Sequence, residues 1–219
     1  MKRLLLIINI IIATQYLFPQ NECAFQIARL KYSGGGDWYN GQTEEPNVLE
    51  FVKQNTNIKV KAEYTWVDVS SDAIFSYPFI FMTGHGNIVF STDEADRLRK
   101  YCEAGGFLYA DDDYGMDKAF RREIKKIFPD EELVELPFNY PMYNDMYNFA
   151  NGVPKTHYHN GKPPQGFGIF INGRLAVYYT YESNPSDGWD DSDVHADPPD
   201  KRLEALKFGV NLIVWALAN

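Results

Sequence analysis

One stretch, Tyr77 to Gly115, limits what this chain can fold into. It reads Tyr77-Pro-Phe-Ile-Phe-Met-Thr-Gly-His85-Gly, then a helix signal, then Gly105-Gly-Phe-Leu-Tyr-Ala-Asp111-Asp-Asp-Tyr-Gly115. The apolar runs Phe79 to Met82 and Phe107 to Ala110 are short enough for strands and lack a polar face. Between them Ser91-Thr-Asp-Glu94 has the form of a capping box, and Ala95, Leu98 and Cys102 recur at helical spacing. Strand, helix, strand in this order predicts two parallel buried strands joined by a right-handed crossover. In such sheets ligands sit beyond the carboxyl ends of the strands. Those ends carry Thr83-Gly84-His85-Gly86 and the triple aspartate Asp111-Asp112-Asp113.

The chain has 219 residues, 45% of them hydrophobic and 23% charged, which suits one packed domain with an N-terminal extra. Lys2-Arg3 followed by the apolar run Leu4 to Ala13 reads as a secretion signal ending near residue 24, ahead of a single α/β domain over 25–219. That run is too short to span a bilayer comfortably, so no stable membrane span is expected after cleavage. The location expected is extracytoplasmic, periplasmic or secreted; an uncleaved signal anchoring the chain to the membrane is the alternative. A net charge of −9 argues against nucleic acid as a partner. Cys23 and Cys102 could pair in an oxidising compartment, but Cys102 on a helix face reads more simply as a small buried hydrophobe.

Along the chain, Phe25 to Tyr32 alternates as a half-buried strand, and Ser33-Gly-Gly-Gly-Asp37-Trp38-Tyr39 follows at its carboxyl end. Three glycines could bring amides to an anion, yet the Lys-Ser/Thr pair of a phosphate loop is absent; a mobile loop carrying Trp38 and Tyr39 fits as well. Pro46 sits near the start of a helix with Val48, Leu49 and Val52 inward, and Ile58 and Val60 suggest a second strand. Ser70 to Phe75 reads as a turn or short helix. Phe120, Ile124, Ile127 and Phe128 share a helix face that Pro129 stops, and Leu133 to Leu136 suggests another strand. Pro137 to Pro164 shows no period. Asn172-Gly173 between two apolar runs predicts an antiparallel hairpin at one edge of an otherwise parallel sheet. Leu203, Leu206, Val210, Ile213 and Leu217 form a last helical stripe.

Four motifs in this chain resemble the bacterial Domain of Unknown Function 4159 family. They are Phe25-Gln-Ile-Ala-Arg-Leu-Lys-Tyr-Ser-Gly-Gly-Gly-Asp-Trp-Tyr39, Met82-Thr-Gly-His-Gly86, Asp112-Asp-Tyr-Gly-Met-Asp117 with Phe120-Arg-Arg122, and Gly161-Lys-Pro-Pro-Gln-Gly-Phe-Gly168. The resemblance runs from about Phe25 to Asn219. It implies a class I glutamine amidotransferase-like, three-layer α/β fold with a flavodoxin-like or Rossmann-like sheet, and it supplies no activity. The chain departs from amidotransferases where their cysteine stands at a sharp turn: no Gly-x-Cys-x-Gly or Gly-x-Ser-x-Gly occurs, and the strand Phe107 to Ala110 runs into aspartates instead. A thiol nucleophile is therefore not expected.

Crowded carboxylates need solvent, a proton, helix amides or a cation, so Asp111, Asp112 and Asp113 are candidate catalytic groups with His85; an aspartate there could also simply cap the next helix. A divalent metal is the one cofactor these residues suggest, with Asp112 and the pair His157-Tyr-His159 as candidate ligands. Gly35, Asp37, Trp38, Gly84, Gly86, Tyr114 and Trp189 are candidate ligand contacts, the two indoles as stacking surfaces unless the core claims them. Glu182 and the Asp187 to Asp191 run read as a solvated acidic loop. Two functions compete. The first is a cell-envelope binding module, whose partner is an envelope protein or a carbohydrate or peptide ligand. The second is a hydrolase using His85 and the aspartates. An enzyme should hold His85 and an aspartate within about 3–4 Å.

Overall fold

The computed structural model describes residues 24–219, so the expected signal segment, and Cys23 with it, lies outside the described residues. Six strands form where the sequence predicts them: β1 (Ile27–Lys31), β3 (Phe79–Met82), β4 (Phe107–Asp111), β5 (Val134–Glu135), β6 (Gln165–Ile171) and β7 (Arg174–Tyr181). With β2 (Trp66–Asp68) they make one sheet in the order β2-β1-β3-β4-β7-β6-β5. Pairing from β2 through β7 is parallel; β6 runs antiparallel to β7, and β5 to β6. Asn172-Gly173 makes the hairpin turn, with Asn172 at φ 52° and Gly173 at φ 82°.

Side chains alternate across the strands, so each face collects its own helices. Ile80, Met82, Leu108 and Ala110 pack with α2 (Thr92–Glu103) and α3 (Asp117–Ile127). Phe79, Phe81, Phe107 and Tyr109 pack with α1 (Glu44–Asn55) and α4 (Pro199–Ala218). The result is three layers, consistent with a flavodoxin-like α/β fold. The capping box forms: the Ser91 hydroxyl accepts from the Glu94 N–H, and the Glu94 carboxylate accepts from the Ser91 N–H at 2.7 Å. The chain leaves β1 for β2 on one side and returns for β3 on the other, which opens a crevice at the carboxyl ends of β1 and β3. No helix among the described residues is long and apolar enough to cross a membrane.

Three expectations need correction. Ile58 and Val60 do not form a named strand; Val60 makes only an isolated bridge to Phe25, and the ladder to β1 comes later, at β2, where Val67 is buried. The last helix does not bury the expected stripe throughout, because Leu203 and Leu217 are 42% and 43% exposed. Its middle is buried instead, where Gly209 lets the Trp189 ring approach and Asn211 fastens the unpatterned stretch after β5. The Asn211 amide donates to the Met142 and Tyr147 carbonyls at 3.0 and 2.8 Å, and its oxygen accepts from the Met146 and Tyr147 N–H groups. Finally, β1 is not half-buried. Lying between β2 and β3, it is covered on both faces, and Arg29 is enclosed with it.

A buried guanidinium needs an acceptor for each donor. Arg29 donates to Glu45 Oε1 at 2.6 Å, to Glu44 Oε2 at 2.9 Å, and to the carbonyls of Trp38, Asn40 and Gly41. Arg29→Met would leave two buried carboxylates and three carbonyls without their donor. It is expected to cost about 3–5 kcal/mol, read by urea denaturation; a loss below about 1 kcal/mol would contradict this account.

Candidate functional site

The loops after β1, β3, β4 and β7 meet at the crevice. After β3 the chain turns sharply at Gly84, at φ 134°, where a Cβ would stand 2.6 Å from the Tyr32 hydroxyl and 3.0 Å from Asp37 Oδ1. A side chain there is excluded by both conformation and space. The turn brings the His85 N–H onto Asp37 Oδ1 and the His85 ring beside two carboxylates. Its Nδ1 is hydrogen-bonded to Asp37 Oδ2 at 3.0 Å and lies 3.1 Å from Asp113 Oδ2. The main chains of His85 and Tyr114 bridge in parallel, which sets the β3 and β4 loops side by side. Gly86 and Gly35 are both exposed with open space beside them. Gly34 and Gly36 close instead on the main chain of residues 85–89, and Gly36 N–H donates to the Asn87 carbonyl at 2.9 Å. The glycine loop is thus packed as a support for Asp37.

The three aspartates are all buried but are held differently. Asp111 is fully enclosed; it accepts from the Thr180 hydroxyl at 2.5 Å and the Ser186 N–H at 2.9 Å. Burial pushes its carboxyl up to about 7 against these donors. Asp112 accepts from the Met116 N–H at 2.7 Å, just ahead of α3, whose N-cap residue Met116 makes no side-chain cap; burial pushes the Asp112 carboxyl up to about 6. Asp113 faces the site. It accepts from the side-chain amides of Asn40 and Asn184, each at 2.9 Å. Burial, then the Asp187 charge, raises its carboxyl, while His85 pulls it back. Burial also acts to raise Asp37, but hydrogen bonds from the His85 N–H and ring outweigh it and hold that carboxyl below its ordinary value. The two carboxyls beside Nδ1 are therefore driven apart.

A second group lies beside the first. Asn184, at φ 51°, also donates to Asp187 Oδ2 at 2.8 Å. Asp187 in turn lies 2.7 Å from His157 Nδ1, and His157 Nε2 lies 2.7 Å from Asp197 Oδ1. These hydrogen bonds, with that of Asp187 foremost, push the His157 imidazole up to about 9 although burial acts the other way. His195 Nε2 is 3.2 Å from Asp190 Oδ2 and 3.9 Å from Asp187 Oδ1. Asp187 and Asp190 are buried, so the expected solvated acidic loop is corrected at those positions. Trp189 explains the burial. Its ring is enclosed among Phe81 and Tyr109, with Nε1 donating to the Ala205 carbonyl at 2.8 Å, and it draws its neighbours inward. A stacking surface at Trp189 is accordingly ruled out. Trp38 is half-buried against Trp66 and Tyr39.

Asp112, His157 and His159 do not come together as a ligand set. The group whose donors converge among the described residues is His157, Asp187 and His195. His159 instead stacks on Tyr114, ring centroids 4.8 Å apart, at a cleft of about 320 Å³ that Asp112 and Glu182 also line. A wider cleft of about 1120 Å³ lies over Phe149, Pro154 and Leu203 and contains neither a histidine nor a buried carboxylate. Cys102 is buried on α2, and burial pushes its thiol up to about 12, which excludes it as a nucleophile. Asn40, Asn184 and Asp197 were not singled out from sequence, and Asp187 was read only as part of a solvated acidic loop. A tryptophan inside the 187–191 acidic run is the signal that could have marked that loop as anchored.

Asp111 yields a test with a definite sign. From about pH 4 to pH 7 the unfolded chain loses this proton while the folded chain keeps it, so the group's ionisation weakens folding as pH rises through that window. Asp111→Asn does not titrate. Relative to wild type, its stability in urea should therefore improve from pH 4 to pH 8 by a few kcal/mol; parallel curves would show that Asp111 titrates normally.

A family model described as "Domain of unknown function (DUF4159)" matches residues 26–217. No curated protein matches the chain.

Proposed function

We propose that this chain, which belongs to the DUF4159 family, is a hydrolase in which His85 activates water. The observation that carries the reading is the His85 ring held at Nδ1 by Asp37 at 3.0 Å with Asp113 at 3.1 Å. A carboxylate accepting from Nδ1–H leaves the Nε2 lone pair as the base. The His85 side chain is 47% exposed, so water and substrate can reach it. Nε2 takes a proton from water, the water oxygen bonds to the substrate carbonyl carbon, and the bond to the leaving group breaks as that group takes up a proton. Asp37, kept low, is the carboxylate that orients the ring; Asp113, kept higher, is the neighbour better able to hold a proton.

The substrate class follows from which groups are exposed. Glycoside hydrolysis needs two carboxyls flanking the sugar. Here Asp111, Asp112 and Asp113 are all enclosed, the partly exposed Asp37 carboxylate is bound to the His85 ring, and the most exposed group is that imidazole. That favours esters or amides over glycosidic bonds. The exposed Tyr114 beside His85 would contact the acyl or peptide portion. With a leader expected at residues 1–24, the bonds attacked are those of envelope or extracellular molecules. Kinship with amidotransferase-like proteins belongs to the same proposal at the level of the scaffold alone, since Cys102 is sealed in the core. The binding-module reading drew on Trp38 and Trp189, and the loss of Trp189 to the core removes half of its stacking surface.

Chromogenic p-nitrophenyl esters and peptide p-nitroanilides provide the test. His85→Ala should lower kcat/KM by about 10²- to 10⁴-fold on any substrate turned over, with circular dichroism unchanged. Asp37→Asn should lower it by a smaller factor. Turnover in His85→Ala equal to wild type, or none by wild type on either class, would sink the reading.

A further inference from the structure

We infer that His157, Asp187 and His195 form a binding site for a divalent transition-metal ion of the zinc type, independent of the His85 reading. Two segments distant in sequence deliver the ligands: the stretch before β6 brings His157, and the connection between β7 and α4 brings Asp187 and His195. Their donor atoms lie within 4.8 Å of one another. His157 Nδ1 and His195 Nε2 approach opposite oxygens of one buried carboxylate, Asp187, and the two rings are 5.3 Å apart. Asp190 Oδ2 lies 3.2 Å from His195 Nε2 and stands outside the converging group.

The surroundings match those of a metal site. A ligating histidine almost always gives its other ring N–H to a carboxylate or carbonyl, and a ligating carboxylate is itself hydrogen-bonded. His157 turns Nε2 to Asp197 Oδ1 at 2.7 Å, which leaves Nδ1 for the ion. Asn184 donates to Asp187 at 2.8 Å, and the Asn184 oxygen is fully buried without a partner. Ala196, between His195 and Asp197, takes φ 54°, a costly conformation for a residue with a Cβ. That turn lets both of its neighbours reach the cluster. Charge points the same way. Arg202 reaches Asp190 only at its main-chain carbonyl, so among the described residues the Asp187 and Asp190 carboxylates have no arginine or lysine ion pair. A bound cation would supply that missing positive charge. Two imidazoles with carboxylate oxygen select a zinc-type ion; magnesium and calcium require oxygen donors throughout.

The test is isothermal titration of zinc chloride into the full chain, prepared without a polyhistidine tag and stripped with chelator. One ion per chain should bind with a micromolar or lower Kd, and magnesium and calcium chloride should not compete. His157→Gln and His195→Gln should each weaken binding at least tenfold, and Asp197→Asn by about 10- to 100-fold through the ring it orients. His159→Gln, whose ring stacks on Tyr114, should leave the affinity unchanged. His195 is partly exposed, so its variant should keep the wild-type circular dichroism and keep the test decisive if a variant at buried Asp187 does not fold. Absence of stoichiometric binding, equal affinity in the His157 and His195 variants, or full competition by magnesium would each overturn the inference.

Discussion

The buried guanidinium of Arg29 is the interaction on which the rest of this structure depends. It lies over the Phe81 ring at 4.7 Å, in the middle of the sheet, where no water can solvate it. Its charge offsets Glu44 and Glu45 at the start of α1, and its remaining donors bind the main chain of Trp38, Asn40 and Gly41. One side chain thus joins β1, the first helix and the loop between them. That loop carries Asp37 and Asn40, which hold His85 and Asp113. The geometry at His85 is a consequence of how a charge was satisfied in the core.

The same constraint operates across the whole carboxyl end of the sheet. Asp111, Asp112, Asp113, Asp187 and Asp190 are all buried there, and among the described residues their carboxylates show no ion pair with arginine or lysine. Instead the compensation comes from imidazoles, side-chain amides, hydroxyls and main-chain N–H groups. The links run continuously from Asp37 through His85, Asp113, Asn184, Asp187 and His157 to Asp197. Such an array places groups of opposite proton affinity side by side, which is the arrangement that acid–base chemistry uses.

Much of this was legible in the chain itself. Phe79 to Met82 and Phe107 to Ala110 are strands because a parallel strand covered on both faces needs an unbroken apolar run. Ser91 with Glu94 marked a helix start, and Asn172-Gly173 marked a turn, because caps and tight turns depend on a few adjacent residues. His85 and the three aspartates stood out because polar residues directly after buried strands fall at the ligand-binding end of such sheets. Asp112 was readable as a candidate helix cap, but it holds the Met116 N–H just ahead of α3, which the sequence alone could not place.

Other features followed from contacts between segments far apart in sequence. Arg29 reads as the polar side of a strand until β2 and β3 flank it, and Trp189 reads as a loop indole until Gly209 of α4 makes room for its ring. The individual strands, the Ser91 cap and the Asn172-Gly173 turn were determined by the sequence, because each is encoded in neighbouring residues or in the period of apolar ones, whereas the order β2-β1-β3-β4-β7-β6-β5 was not. The pairing of His157 with Asp187, 30 residues apart, and the asparagine that links Asp113 to Asp187 were decided only by tertiary structure. Local patterns specify which face of an element is buried. They carry no record of which distant loop will fold over that end of the sheet and bring its charges along.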